Sequence, residues 1–147
     1  MDEVVNKCEG LTEKDIAFLQ KIETGMALVA DLSRADILMY CRLGAEEAVV
    51  VAQARPHSMR PIQPKLILGR KVTAAQESSV FRTLNRNRFS RGNLDYIANG
   101  APIVQEVHPI RRDNGRVIGA LSIETNLIEH ERHHRRSQVF QRALRQL

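Results

Sequence analysis

The stretch that decides the fold runs from Val104 to Asn126 and reads VQEVHPIRRDNGRVIGALSIETN. Asp113-Asn114-Gly115 separates two runs rich in apolar and β-branched residues, and Asn-Gly between such runs is a strong hairpin signal. After Asn126 the chain becomes charged and helix-favouring, and it stays so to Leu147. The pattern therefore predicts an antiparallel hairpin that leads directly into an outgoing helix.

Length and composition predict one compact domain. The chain has 147 residues, 43% of them apolar, with no Trp, which is enough for one ordinary core. No run approaches the roughly 20 apolar residues that span a bilayer, and Asp2 and Glu3 stand where a secretory signal would be basic. A disulfide between Cys8 and Cys41 is one alternative, but we expect reduced thiols in a cytoplasmic protein.

The charge is distributed unevenly around a net value of +5. Residues 1–30 lean acidic, whereas residues 55–91 carry nine Lys or Arg and Glu77 as their one acidic residue. Such a stretch can bind an anion, but a solvated basic surface is the simpler interpretation. Aromatic side chains that could stack on bases are scarce, with Phe81, Phe89 and Tyr96 nearby. Binding of nucleic acid is therefore not expected.

The first third of the chain predicts a helix followed by an antiparallel pair. Thr12 to Asp15 resembles a capping box with Asp in place of the usual Glu. An apolar stripe at three- and four-residue spacing follows it: Ile16, Leu19, Ile22, Met26 and Val29. Strands are expected at Asp36–Arg42 and Ala48–Ala54, with a turn between them.

The middle of the chain is predicted to be less regular. Residues 55–64 contain three prolines and are not expected to form a regular element. Residues 66–72 indicate a short strand or extended segment broken at Gly69, and residues 76–84 a short helix. Residues 85–100 are polar and basic and are expected to form a loop, before a strand at 103–110.

Four segments, in order, carry a family resemblance. LVADLSRADILM (28–39) resembles the opening signature of the GAF-like N-terminal sensor domain of a group of bacterial two-component histidine kinases. VAQARP (51–56) resembles the second strand of that domain and GRKV (69–72) its glycine-led segment. GRVIGALSIETNL (115–127) resembles its closing strand and the start of its exit helix.

The resemblance implies an α+β fold of the GAF/PAS-like kind, with a central antiparallel sheet flanked by helices and a long C-terminal exit helix. It divides the chain into an N-terminal helical segment (1–34), a sensor sheet with crossing loops (35–126) and a linker helix (127–147). It also implies PAS and kinase domains in the same longer chain. No ATP-binding boxes of a histidine kinase occur in the sequence, so we expect this part to be non-catalytic.

A ligand pocket is expected between one sheet face and the segments that cross it, as in domains of this architecture. The candidate lining residues are Met39, Cys41, Gln53, Arg55, Arg82, Arg86 and Arg88. The arginines would offer a charged fork to a small anionic ligand. Surface positions for the arginines and a ligand-free dimerisation module are the alternatives, and no particular cofactor is indicated.

Two further features invite a chemical interpretation. His130 lies one helical turn from His133 and His134, a spacing that could hold a metal, and HHR also resembles the start of a phosphoacceptor box. A solvated helix surface is the favoured interpretation, because the Asn residues that follow in such a box are missing. For Cys41, on a predicted strand, a buried small apolar side chain is favoured over redox or metal sensing.

Three function classes remain. The favoured one is a sensory input domain of a cytoplasmic histidine kinase that forms a homodimer and transmits its state through the C-terminal helix. The second is a GAF-type effector domain of a transcription regulator, although no helix-turn-helix pattern is visible. A small enzyme that uses Cys41 or a histidine ranks last, because the sequence does not pair a nucleophile with a base.

Overall fold

The computed structural model describes residues 1–57, 66–98, 101–127, 142–143 and 145. Helices and strands alternate in blocks along this part of the chain. In order they are α1 (Asp2–Val5), α2 (Glu13–Ser33), β1 (Asp36–Arg42), β2 (Glu47–Ala54), β3 (Lys71–Thr73), α3 (Ser78–Arg86), β4 (Ser90–Ala98), β5 (Ala101–Arg111) and β6 (Val117–Asn126). The predicted exit helix from residue 127 and the histidines at 130, 133 and 134 lie outside the described residues, apart from 127, 142–143 and 145.

The strands form one six-stranded sheet in the order β3-β2-β1-β6-β5-β4, and all neighbouring pairs are antiparallel. The predicted closing hairpin is present, since β5 and β6 pair along their length. Its turn requires Gly115, which has a φ of +78°, and the Asn114 side chain accepts a hydrogen bond from the Arg116 amide at 3.0 Å. The α+β class and the antiparallel sheet are thus confirmed.

The prediction of a loop over residues 85–100 is wrong, because most of it forms β4. This strand lies at the edge of the sheet and pairs with β5 alone, so it can carry polar residues that face solvent. Gly92 lies within it, and a Cβ there would come within 3.1 Å of the Ser79 hydroxyl of α3. The glycine at position 92 allows close packing of α3 against the strand.

Helix α2 begins with the predicted capping box. The Asp15 amide donates to the Thr12 hydroxyl at 3.1 Å, and the Asp15 carboxylate accepts from the Thr12 amide at 3.0 Å. Leu19, Met26 and Ala30 are buried, whereas Val29 of the predicted stripe is 41% exposed. At 100° per residue, position 30 continues the buried line of 19 and 26 better than position 29 does.

The sheet buries both of its faces, each under a different helix. The α2 face holds apolar residues of β1 and β2 under α2: Ile37, Met39, Cys41, Val49 and Val51. The α3 face holds their neighbours in the alternation under α3, with Val107 of β5: Leu38, Tyr40, Ala48 and Val50. Burial on both faces explains why β1 and β2 are apolar almost without interruption.

A buried carboxylate fastens α2 to the hairpin turn. Asp15 is 1% exposed, and its oxygens lie 2.5 Å from the Arg116 guanidinium and 3.3 Å from that of Arg112. Arg112 also stacks over the Phe18 ring at 4.9 Å. Burial alone would raise the pKa of Asp15, but the hydrogen bonds from Arg116 and Thr12 outweigh it and hold the pKa below its usual range.

Candidate ligand-binding site

A cavity of about 390 Å³ lies on the α3 face of the sheet, a volume typical of small-molecule sites. Its walls come from β1, the segment before β3, β3 itself and the residues that lead into α3. The lining residues are Tyr40, Ile67, Arg70, Lys71, Val72, Gln76 and Glu77. The cavity is therefore formed where β1 meets the segments that lead into β3 and α3.

The segment before β3 forms one wall because it is hydrogen-bonded to β2. The Gly69 amide donates to the Val50 carbonyl at 2.8 Å, and the Val50 amide donates to the Arg70 carbonyl at 3.0 Å. Gly69 has a φ of +86°, which explains the glycine at this position. The Gln53 side chain accepts a hydrogen bond from the Ile67 amide at 2.7 Å. Gln53 thus positions the wall of the cavity.

A buried network of polar side chains begins at Glu77. Gln105 donates to the Glu77 carboxylate at 3.1 Å and to the Ser122 hydroxyl at 2.9 Å, and Tyr40 provides a further hydrogen bond to Glu77. Gln105 is 2% exposed and Ser122 is fully buried. Polar groups are buried at a cost unless they are hydrogen-bonded, so this network is a specific feature of the α3 face.

Glu77 is the chemically distinctive residue of this network. Burial raises the pKa of its carboxyl above the ordinary value, although the hydrogen bonds from Gln105 and Tyr40 oppose the shift. Arg70 and Lys71 also line the cavity and are exposed. The cavity therefore offers one partly desolvated carboxylate and two cations to an incoming molecule. Arrangements of this kind bind small polar ligands.

Sequence reasoning missed this network. Gln105 and Ser122 are polar residues at inward-facing positions of β5 and β6, and this departure from the apolar alternation was the available signal. Glu77 had been noted only as the single acidic residue of a basic stretch.

Met39 and Cys41 do not line this cavity. Both are fully buried on the α2 face, where they pack under α2. Gln53 and Arg55 instead line a second cavity, of about 480 Å³, at the end of β2. His57 lies in its wall and contacts the Asp31 carboxylate of α2 at 3.0 Å. Gln53 lines this second cavity and supports the first only through its hydrogen bond with the Ile67 amide.

The three predicted arginines of the charged fork lie on the surface. Arg82 and Arg86 belong to the exposed side of α3, and Arg88 follows the helix; all three are exposed. Arg82 donates to the Ser79 hydroxyl at 3.0 Å. The cations that line the cavity are Arg70 and Lys71 instead.

Two carboxylates are buried at the end of the central strands. Asp36 of β1 lies directly opposite Glu124 of β6, and each residue is 1% exposed. Residues that oppose each other across two strands share a face. Among the described residues no group of three or more His, Cys, Asp or Glu could hold a metal.

No helix in the described part of the chain is both long and apolar enough to cross a membrane. The sequence matches the family described as "Histidine kinase PdtaS, GAF domain" over residues 1–143. No curated protein matches it significantly.

Solved structures of sensory and regulatory proteins share the fold. The sensor region of a sensor histidine kinase is 24% identical, with a TM-score of 0.65 over 83% of this chain and 39% of that one. An IclR transcriptional regulator from Alicyclobacillus acidocaldarius is 10% identical (TM-score 0.53, 84% of this chain, 61% of that one). The nlh2 GAF domain of A. aeolicus in an inactive state is 9% identical (TM-score 0.50, 95% and 86%). This chain thus spans less than two thirds of the first two structures, and the likeness concerns the fold.

Proposed function

The chain belongs to the family of GAF domains of the histidine kinase PdtaS, and from this premise we propose that it binds a small polar ligand and regulates a kinase. The observation that carries the ligand part is the network at the cavity, in which Gln105 joins Glu77 to Ser122. If these three residues served only to stabilise the fold, apolar side chains would be sufficient at their positions. The partly desolvated Glu77 is best compensated by a ligand that donates a hydrogen bond to it.

The charges of the lining favour a ligand with an anionic group. Arg70 and Lys71 would receive that group at the wall formed by the segment before β3. Glu77 would receive a hydrogen-bond donor of the same molecule. A volume of about 390 Å³ accommodates a molecule of the size of a nucleotide fragment or a small organic acid.

The path from ligand to kinase would run through the central strands. In this proposal residues 35–126 form the sensor, residues 1–34 cover one of its faces, and residues 127–147 form a helix that pairs with its copy in a homodimer. The helix would continue toward PAS and kinase domains of the same longer, cytoplasmic chain. A ligand changes the output only if it binds the two states of the dimer with different affinity. This part of the chain would have no catalytic activity of its own.

Thermal unfolding of the purified chain tests the ligand proposal. The panel contains nucleotides, cyclic dinucleotides and small organic acids, with metals and haem as further probes. A ligand that binds only the folded state adds about 2.7 kcal/mol at a hundredfold excess over its dissociation constant. Glu77→Gln and Arg70→Ala should abolish the shift, because both residues line the cavity.

Arg86→Ala is the matched control for Arg70→Ala. It removes the same charge from an exposed position on α3 and should retain the shift. A shift that Arg86→Ala abolishes and Arg70→Ala retains would place the ligand elsewhere. If no compound shifts the transition, the proposal of a ligand fails and dimerisation alone remains as the regulatory property.

A second candidate function is that of an effector domain of a transcription regulator. Two observations favour it: the chain shares its fold with an IclR transcriptional regulator, and its net charge is +5. Retardation of duplex DNA by this chain, with a steep dependence on salt, would support it. A small enzyme based on Cys41 is disfavoured, because that thiol is fully buried.

A further inference from the structure

The two cysteines of the chain are distant in sequence, but both belong to the packing on the α2 face of the sheet. The Glu9 amide donates to the Arg42 carbonyl at 2.9 Å, so the segments that carry Cys8 and Cys41 lie next to each other. Cys8 packs against the core cluster that contains Cys41, and its thiol donates a hydrogen bond to the Val4 carbonyl at 3.7 Å. The adjoining backbone hydrogen bond keeps the two chain segments together.

The two thiols differ in access and in acidity. Cys8 is partly exposed, whereas Cys41 is fully buried. The interaction with Cys41 lowers the pKa of the Cys8 thiol, and burial opposes this shift. The pKa of Cys41 is raised by the same interaction and by burial. Thiolate is the reactive form of cysteine. Cys8 is therefore the thiol that would react with a solute, and Cys41 is the thiol that would then react with the oxidised Cys8.

We propose that Cys8 and Cys41 are a redox pair that closes to an intramolecular disulfide when the protein meets a peroxide. The proposal rests on the packing of Cys8 against the cluster that contains Cys41, on the hydrogen bond between the residues that follow the two cysteines and on the unequal exposure of the thiols, and it is independent of the ligand cavity. Both cysteines are free in the structure. The bond would fasten the N-terminal segment to β1.

The reaction balances with one peroxide per disulfide. The Cys8 thiolate attacks a peroxide oxygen, the O–O bond breaks, and the departing oxygen takes up a proton and leaves as water when the oxidant is hydrogen peroxide. The Cys8 sulfenic acid is then attacked by the sulfur of Cys41, the S–O bond breaks and a second water leaves with the Cys41 proton. Two thiols are oxidised and one peroxide is reduced. A dithiol reductant reverses the step by thiol–disulfide exchange.

The disulfide would close a loop that contains the whole of α2. A cross-link across a loop of this length constrains the unfolded chain, and in the chain-entropy model it raises the melting temperature by roughly 10 °C in a domain of this size. Tyr40, the neighbour of Cys41 in β1, lines the ligand cavity on the opposite face. Oxidation therefore acts one residue away from the cavity.

Peptide mapping of the folded protein tests the proposal. After treatment with hydrogen peroxide and blocking of free thiols, trypsin should release the peptides 8–14 and 35–42 joined by a disulfide, and dithiothreitol should separate them. The oxidised protein should melt at the higher temperature, and the Cys8→Ser variant should show neither change. Cys8→Ser alters a partly exposed side chain and should fold normally.

Three results would overturn the inference. One is oxidation of Cys8 to sulfinic acid while Cys41 is still recovered unoxidised. Another is a disulfide between the Cys8 residues of two chains. The third is formation of the joined peptides at the same rate in the folded protein and in protein unfolded in urea, because the native arrangement of the two cysteines would then have no part in it.

Discussion

Replacement of Asp15 by alanine should separate the start of α2 from the hairpin turn. This carboxylate accepts the capping hydrogen bond of Thr12 and receives both Arg112 and Arg116. Asp15→Ala therefore removes one half of a capping box and two ion pairs with a single change. It leaves the apolar contacts of α2 with the sheet in place.

The magnitude follows from the exposure of the partners. Loss of a helix cap costs about 1 kcal/mol, and loss of a hydrogen bond to a charged group about 1.5–3 kcal/mol. The side chains of Arg112 and Arg116 are 24% and 42% exposed, so water can hydrate them after the change and reduces the second figure. We expect the free energy of unfolding to fall by about 3 kcal/mol, which lowers the melting temperature by roughly 10 °C.

The effect should depend on pH in a defined direction. The pKa of Asp15 is lower in the folded state than the ordinary value of about 3.9. Its stabilisation is therefore fully present above that value and is lost as the pH falls through the folded pKa. The difference between the wild type and Asp15→Asn should be constant between about pH 7 and pH 5 and should shrink below about pH 4.

Urea unfolding followed by circular dichroism measures both effects. Asp113→Asn is the matched control, because it removes a carboxylate from the same turn at an exposed position and should change stability by less than about 0.5 kcal/mol. A double-mutant cycle of Asp15→Ala with Arg116→Gln should give a coupling of about 1 kcal/mol or more. Equal urea midpoints for the wild type and Asp15→Ala would refute the role assigned to this carboxylate.

Three further predictions concern the core, the sheet and the cavity. Leu19→Ala should lower the free energy of unfolding by about 2–5 kcal/mol, measured by urea denaturation, because Leu19 is fully buried. Gly119→Ala should destabilise, since its Cβ would lie 2.9 Å from the Tyr40 carbonyl oxygen, whereas Gly25→Ala, in open space on α2, should raise the melting temperature slightly. The pKa of Glu77 is raised in the folded state, so ionisation of this carboxyl should lower the free energy of unfolding as the pH rises from about 4. Urea denaturation at a series of pH values should show this decrease in the wild type and not in Glu77→Gln.

The sequence was most informative where local chemistry decides the structure. The Asp-Asn-Gly turn and the capping box at Thr12 each act within four residues, and the structure has both. Strand β1 was predicted with its observed bounds, because an apolar run buried on both faces stands out in any context. Strand β4 was missed, because its pairing comes from β5 rather than from its own residues.

The candidate site was harder to predict for the same reason. Arg82 and Arg86 are one helical turn apart, and the apolar residues of α3 already indicated that this side faces outward. The network of Glu77, Gln105 and Ser122 joins three segments that are far apart in the chain. Only the pairing of β5 with β6, and the packing of α3 over them, brings these side chains together.

The position of β1 next to β6 has a mechanical consequence. Asp36, at the start of β1, lies opposite Glu124, near the end of β6, so the chain enters and leaves the sheet at one end of the same antiparallel pair. Tension applied between residues 35 and 127 would open that pair one hydrogen bond at a time, as a zipper opens, instead of shearing all of them at once. The domain should therefore yield at low force in single-molecule pulling through these points, and resist more when pulled between residue 35 and the hairpin turn.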